Sequence, residues 1–277
     1  MRRLWRLLRF TVSILSRTGW LWLSVRFVPE ARRPLYRARV QQRACRVFCC
    51  ILGVRVTVRG TLPRHHAVLA VSNHLGLLDP WILASQMPLA FVAKAEMARW
   101  PVVGWICRTV GIIFVERERR MATKAFVEQV QSRLREGVRV LVFPEGTTTR
   151  GDAVLLPFKT GGFEAVAGME EAVVLPLYLH VDAVDGRPAA GALRRRVAWS
   201  DPAEPMLRHA WSLLGVREVH VELRVGVPIP TAGQDRKALA RQAYAAVRAL
   251  AGDAHPAPPV ASPSEGAGSR AGVRRPA

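Results

Sequence analysis

The chain has 277 residues, 41 Lys and Arg against 21 Asp and Glu, a formal net charge of +20, and a hydrophobic half. That length can bury a real core, and that apolar content excludes a disordered polymer. The four cysteines, Cys45, Cys49, Cys50 and Cys107, form no CxxC pair, which argues against a disulfide framework or a zinc site and for reduced thiols.

The charge is unevenly placed. Residues 1–60 hold 14 Arg and one acid, Glu30, so +13 of the excess lies there and the remainder is only mildly basic. Such a segment seeks phosphate, on lipid or on nucleic acid. Residues 4–28 interleave Leu, Trp, Phe and Val with Arg6, Arg9, Arg17 and Arg26, and the longest uncharged stretch is residues 18–25. A bilayer span wants about 20 apolar residues, and a central arginine costs about 2.5–3.5 kcal/mol on insertion scales. No cleavage site of the signal-peptide kind follows. The segment therefore reads as an interfacial helix, with Trp5, Trp20 and Trp22 at headgroup depth and arginines on anionic lipid. Pro29 stops it, and a second helix over residues 35–52 completes a hairpin. Tryptophan and leucine between arginines suit a lipid surface better than a DNA groove, so no nucleic-acid partner is expected.

Beyond residue 53 the pattern changes. Short β-branched runs at residues 54–58, 67–71, 111–115, 139–143 and 173–181 alternate with helical stretches. The clearest helix spans 121–135, where Phe126, Val127, Val130 and Leu134 make one stripe that Gly137 closes. A strand over 219–227 and a helix over 234–250 follow. This alternation predicts an α/β domain with a mixed, largely parallel sheet flanked by helices. The expected organisation is a membrane-associating helical hairpin (1–52), an α/β domain (53–252) and a disordered tail (253–277) rich in Ala, Pro, Gly, Ser and Arg.

Four segments carry chemistry. In the first, Asn73 and His74 follow a buried strand, where α/β sheets place ligand chemistry at the carboxyl end, and Asp79 and Pro80 stand where a new helix begins. Asp79 beside His74 makes a general-base dyad, the carboxylate fixing the ring tautomer. Spacing alone equally allows Asp79 to cap the helix and His74 to fill a loop. His180 and Asp185 share that spacing and serve as a warning. The second segment is a strand ending near Arg117, which either clamps an anion or pairs with a surface acid. The third runs from Phe143 through Pro144, Glu145, Gly146, Thr147, Thr148 and Thr149 to Arg150, a glycine and hydroxyls suited to an oxyanion. Lys159 follows at an apparent helix start. The fourth, residues 173–178, reads as a core strand.

Taken together, N-H-x-x-x-x-D, G-x-x-F-x-x-R, F-P-E-G-T and a V-x-P strand occur in order over residues 50–182. This series resembles the glycerolipid acyltransferase family, of the 1-acyl-glycerol-3-phosphate acyltransferase type. The resemblance implies that His74, oriented by Asp79, deprotonates a lysolipid hydroxyl, which attacks the thioester of acyl-CoA or acyl-carrier protein. It implies no metal or bound cofactor. Asn73, Arg117, Glu145, Gly146, Thr147, Thr148, Arg150 and Lys159 would shape the acceptor site, with Lys94 as a further cation and Glu145 orienting Arg117 or an acceptor hydroxyl. The N-terminal hairpin is similar to the two-helix membrane anchor of such enzymes, and with the interfacial first helix and reduced thiols the expected location is peripheral or monotopic on the cytoplasmic face of the cell membrane. Lysophosphatidic acid is the leading acceptor. The family's usual pattern continues F-P-E-G-T-R-S, however, and Thr148 stands in place of that arginine. F-P-E-G-T-T is similar to members that acylate other lysolipids, so lyso-ornithine lipid is the alternative.

Overall fold

The computed structural model describes residues 1–64, 67–115, 124–150, 155–201 and 203–252. Two helices open the chain, α1 (Arg2–Ser24) and α2 (Arg33–Leu52), followed by β1 (Val54–Arg59) and β2 (Ala67–Ser72). Next come α3 (Asp79–Gln86), β3 (Leu89–Lys94), α4 (Pro101–Val110), β4 (Ile113–Val115), α5 (Lys124–Arg135) and β5 (Arg139–Val142). The long strand β6 (Ala172–Val184) leads to β7 (Arg187–Pro188), α6 (Gly191–Arg195) and α7 (Met206–Leu213). Strands β8 (Val219–Val225) and β9 (Ile229–Pro230) and helix α8 (Arg236–Ala251) complete the described fold. Arg117, the expected start of α5 and the expected tail lie outside the described residues.

The sheet order is β1-β8-β6-β2-β5-β3-β4, with β7 and β9 also on β6. Strand β2 lies at its centre, parallel to β5 on one side and β6 on the other. β8 runs antiparallel to β6 and parallel to β1, so the sheet is mixed and largely parallel. Val68, Leu69, Ala70 and Val71 of β2 are all fully buried, as a strand covered on both faces must be. Val68 and Ala70 join the core layer with α2 and α3, and Leu69 and Val71 the layer with α5 and α8. The α/β alternation expected from the sequence is thus what the chain forms.

Strand β3 and helix α4 were not expected. β3 is six residues directly after Pro88, too short to declare its period. Gly104 interrupts the pattern of α4, and packing explains it: a Cβ there would lie 2.2 Å from the Ala98 carbonyl. The glycine lets α4 press onto the turn before it.

The N-terminal helices do not hang apart from the α/β body. Cys45, Phe48, Cys49 and Leu52 of α2 share one core cluster with Leu83, Leu175 and Leu223. Phe10, Phe48 and Trp81 form an aromatic triangle with ring centroids 5.0, 5.2 and 6.3 Å apart, tying α1 and α2 to α3. Arg6 donates to the carbonyls of Val216 and Arg217, pinning the start of α1 near β8. Phe48→Ala should therefore cost about 3–5 kcal/mol of stability, as Phe→Ala does in a core. A urea titration checks this, and an unchanged midpoint would mean that α2 is an appendage.

Candidate functional site

Because β2 and β5 are adjacent and parallel, with Val71 opposite Val142, their carboxyl ends release two loops side by side. The first carries Asn73 and His74, the second Phe143 to Arg150. Asn73, 1% exposed, locks the first loop to β6: its amide donates to the Leu179 carbonyl at 3.0 Å, and its oxygen accepts from the Leu179 N–H at 2.8 Å.

The chain then turns so that Asp79 returns beside His74. Nδ1 of His74 lies 2.7 Å from Oδ2 of Asp79. The same oxygen accepts from the backbone N–H groups of Leu75 at 2.5 Å and Gly76 at 2.8 Å. Asp79 is the first residue of α3 and its side chain caps no helical N–H; the N-cap position is Leu78. So the carboxylate serves the histidine and its loop. A carboxylate is an acceptor only, which puts a proton on Nδ1 and leaves Nε2 as the basic atom. Nε2 makes no hydrogen bond among the described residues. The ring stacks on Phe143 at 4.0 Å with a 12° interplanar angle, and its side chain is 17% exposed.

His180 and Asp185 take no such arrangement. Both sit on or just after an extended strand, where five residues span about 16 Å. Asp185 instead accepts the backbone N–H groups of Arg217 and Glu218, while His180 lies 3.7 Å from Asp182. The equal spacing yields a pair only where the chain turns.

The second loop holds the first by its backbone. Glu145, 2% exposed, accepts the His74 N–H on Oε1 at 2.9 Å and the Leu156 N–H on Oε2 at 3.0 Å. Thr149 N–H donates to the His74 carbonyl at 2.8 Å. Burial pushes the Glu145 carboxyl up to about 7, against the pull of the Leu156 and His74 amides. Oε1 thus braces the His74 loop, while Oε2 holds the Leu156 N–H. Gly146 sits at φ +74°, and a Cβ there would meet Nζ of Lys159 at 2.5 Å, so Lys159 lies over the turn. Thr147, Arg150 and Lys159 are exposed around it. The Thr148 hydroxyl donates to the Trp199 carbonyl. Lys94 ends β3 as an exposed cation. Arg117 lies outside the described residues.

Sequence reasoning missed Trp199, Glu204 and His209. The Trp199 N–H donates to Leu75 O at 2.7 Å, and Nδ1 of the buried His209 lies 3.0 Å from the Glu204 carboxylate. No local motif marks contacts between residues 51 and 124 positions apart. The site therefore joins a basic imidazole nitrogen, a fixed carboxylate and a rim of hydroxyls and cations. That set can remove a proton from a hydroxyl beside an anionic or polar ligand.

A family model described as Acyltransferase matches residues 53–180. The lyso-ornithine lipid O-acyltransferase of Brucella abortus (strain 2308) is 35% identical over 74% of this chain and 79% of its own length. The 1-acyl-sn-glycerol-3-phosphate acyltransferase of Neisseria gonorrhoeae is 27% identical over 73% of this chain and 76% of its own. Among solved structures, the 1-acyl-sn-glycerophosphate acyltransferase of Thermotoga maritima superposes with TM-score 0.60 at 19% identity, covering 90% of this chain and 96% of that one; the likeness is one of fold.

Glu145→Gln tests the bracing role. A carboxamide offers one acceptor where two N–H groups need one each, so one part-buried donor loses its partner on Glu145, at about 1 kcal/mol or more. The melting temperature should fall and acyl transfer with it; unchanged melting would show that the two hydrogen bonds carry no weight.

Proposed function

The chain belongs to the acyltransferase family, and on that premise we propose that it moves a fatty acyl group from a thioester donor to the hydroxyl of lyso-ornithine lipid. The observation that carries the chemistry is the pair of His74 and Asp79, with Nε2 directed away from the carboxylate. Nε2 takes the proton of the acceptor hydroxyl as its oxygen attacks the thioester carbonyl. The C–S bond breaks as the tetrahedral intermediate collapses, and the imidazolium returns its proton to the departing thiolate. Acyl-CoA and acyl-carrier protein are the donor classes that fit this step.

Two observations support the acceptor. The relative with the higher identity bears the name lyso-ornithine lipid O-acyltransferase. And Thr148, where the family's usual pattern has an arginine, spends its hydroxyl on Trp199 and brings no cation to a phosphomonoester. Arg150 and Lys159 remain at the rim for the acceptor's carboxylate. Lysophosphatidic acid is the second reading, favoured by the more distant relative's name. Incubating purified protein with labelled acyl-CoA, or acyl-carrier protein, and both lysolipids decides between them. Acylation of lyso-ornithine lipid in preference to lysophosphatidic acid is expected, and the reverse preference overturns the acceptor. In either case His74→Ala should cut turnover by at least about 10²–10⁴, whereas His180→Ala should retain most of it.

We further propose that α1 lies on an anionic membrane surface. Among the described residues no helix is long and apolar enough to cross a membrane. Leu21 and Val25 of α1 and the turn after it face the core, whereas Leu4, Leu8, Val12, Leu15 and Trp22 are each more than 40% exposed. Fully burying one such side chain yields about 1.5–3 kcal/mol. Replacing Leu8 and Leu15 by Glu should lower binding to vesicles containing anionic lipid at least about tenfold, read by co-sedimentation. Unaltered binding would remove α1 from the interface.

A further inference from the structure

The segment from residue 197 to residue 209 has no part in the four sequence motifs, yet it touches both loops of the site. Trp199 bridges them with its backbone. Its N–H donates to Leu75 O at 2.7 Å, in the loop of His74, and its carbonyl accepts the Thr148 hydroxyl from the second loop. The approach is close: a Cβ on Gly76 would lie 3.1 Å from both the Trp199 nitrogen and the Val197 carbonyl oxygen, tighter than an ordinary contact.

What holds Trp199 there is a polar pair, a buried histidine on a half-buried glutamate. His209, 1% exposed on α7, places Nδ1 at 3.0 Å from the Glu204 carboxylate and Nε2 at 3.3 Å from the Val197 carbonyl. Its ring stacks on the Trp199 indole, centroids 6.2 Å apart, and the indole N–H donates to the Glu204 carbonyl at 3.0 Å. One histidine thus fixes the segment at three points, Val197, Trp199 and Glu204. Both ring nitrogens lie within hydrogen-bond reach of an acceptor, and a buried ring N–H that lost its acceptor would be left unpaired.

We propose that His209 is a positioning residue for acyl transfer: with Glu204 it sets Trp199, and Trp199 fixes the separation of the His74 loop and the Thr148 loop on the acceptor side of the site. The inference rests on the lysolipid acyltransferase reading but not on which lysolipid is used. It makes the Thr148 hydroxyl a determinant of acceptor use through its contact with Trp199. An arginine at this position would have to give up that bridge.

The test compares Thr148→Val, Thr148→Ser and His209→Gln with wild type, titrating acceptor and acyl donor separately and recording the melting temperature. The lysolipid is whichever supports wild-type turnover. Wild type that is inert on lyso-ornithine lipid but active on lysophosphatidic acid would discard the acceptor assignment and leave this comparison intact. Thr148→Val, nearly isosteric, removes only the hydroxyl of a half-buried side chain, so it reports even if His209→Gln fails to fold. The expected result is a fall of about tenfold in kcat/KM for the acceptor with Thr148→Val, an unchanged KM for the acyl donor, and recovery in Thr148→Ser. Folded His209→Gln should show the same one-sided loss. Acceptor kcat/KM within about twofold of wild type in Thr148→Val, or equal deterioration towards both substrates, would overturn the proposal.

Discussion

Oδ2 of Asp79 gathers three donors from five residues of chain: the His74 ring and the backbone N–H groups of Leu75 and Gly76. A carboxylate only 3% exposed would cost several kcal/mol if left unpaired. Here its partners are the turn itself, so the same contacts that make burial tolerable also shape the loop and orient the imidazole. The rest of the structure serves that point. β2, buried on both faces, delivers His74; the aromatic triangle of Phe10, Phe48 and Trp81 seats α3, whose first residue is Asp79. The N-terminal helices thus act on the site through packing as well as through any surface they rest on.

The second loop adds rigidity by a different route. Glu145 takes the His74 N–H and Thr149 returns a donor to the His74 carbonyl, so both backbone groups of the histidine are held by residues about seventy positions away. Parallel neighbours make this possible: β2 and β5 end together, and their loops meet without a long excursion. Trp199 closes the third side. Rigid placement of this kind lowers a barrier by orientation, independently of any proton transfer.

Much of this was legible in the sequence where the signal is local. The β-branched runs gave β2, β5 and β6, and the stripe of Phe126, Val130 and Leu134 is the buried face of α5. The pairing of His74 with Asp79 could not be separated from that of His180 with Asp185 by spacing; backbone conformation separates them, a turn in one case and an extended strand in the other. The basic composition of residues 1–52 suggested an anchor, and composition does not report that Cys45, Phe48 and Leu52 of α2 face the sheet. Glu145 was read as orienting an acceptor hydroxyl or Arg117, which lies outside the described residues; the backbone N–H groups that its oxygens meet are contacts no side-chain pattern encodes. Trp199 and His209 act through contacts made only once the fold brings distant segments together.

The central claim is that the Asp79 carboxylate makes His74 a base by charge and orientation. Asp79→Asn tests it most directly, because a carboxamide oxygen can still accept the Leu75 and Gly76 N–H groups while the charge is lost. The measurement is single-turnover acyl transfer by a variant shown by its melting curve to be folded. The account predicts a fall of at least about a hundredfold, with binding of the lysolipid little changed. Turnover within about threefold of wild type would contradict it and leave His74 acting without its carboxylate.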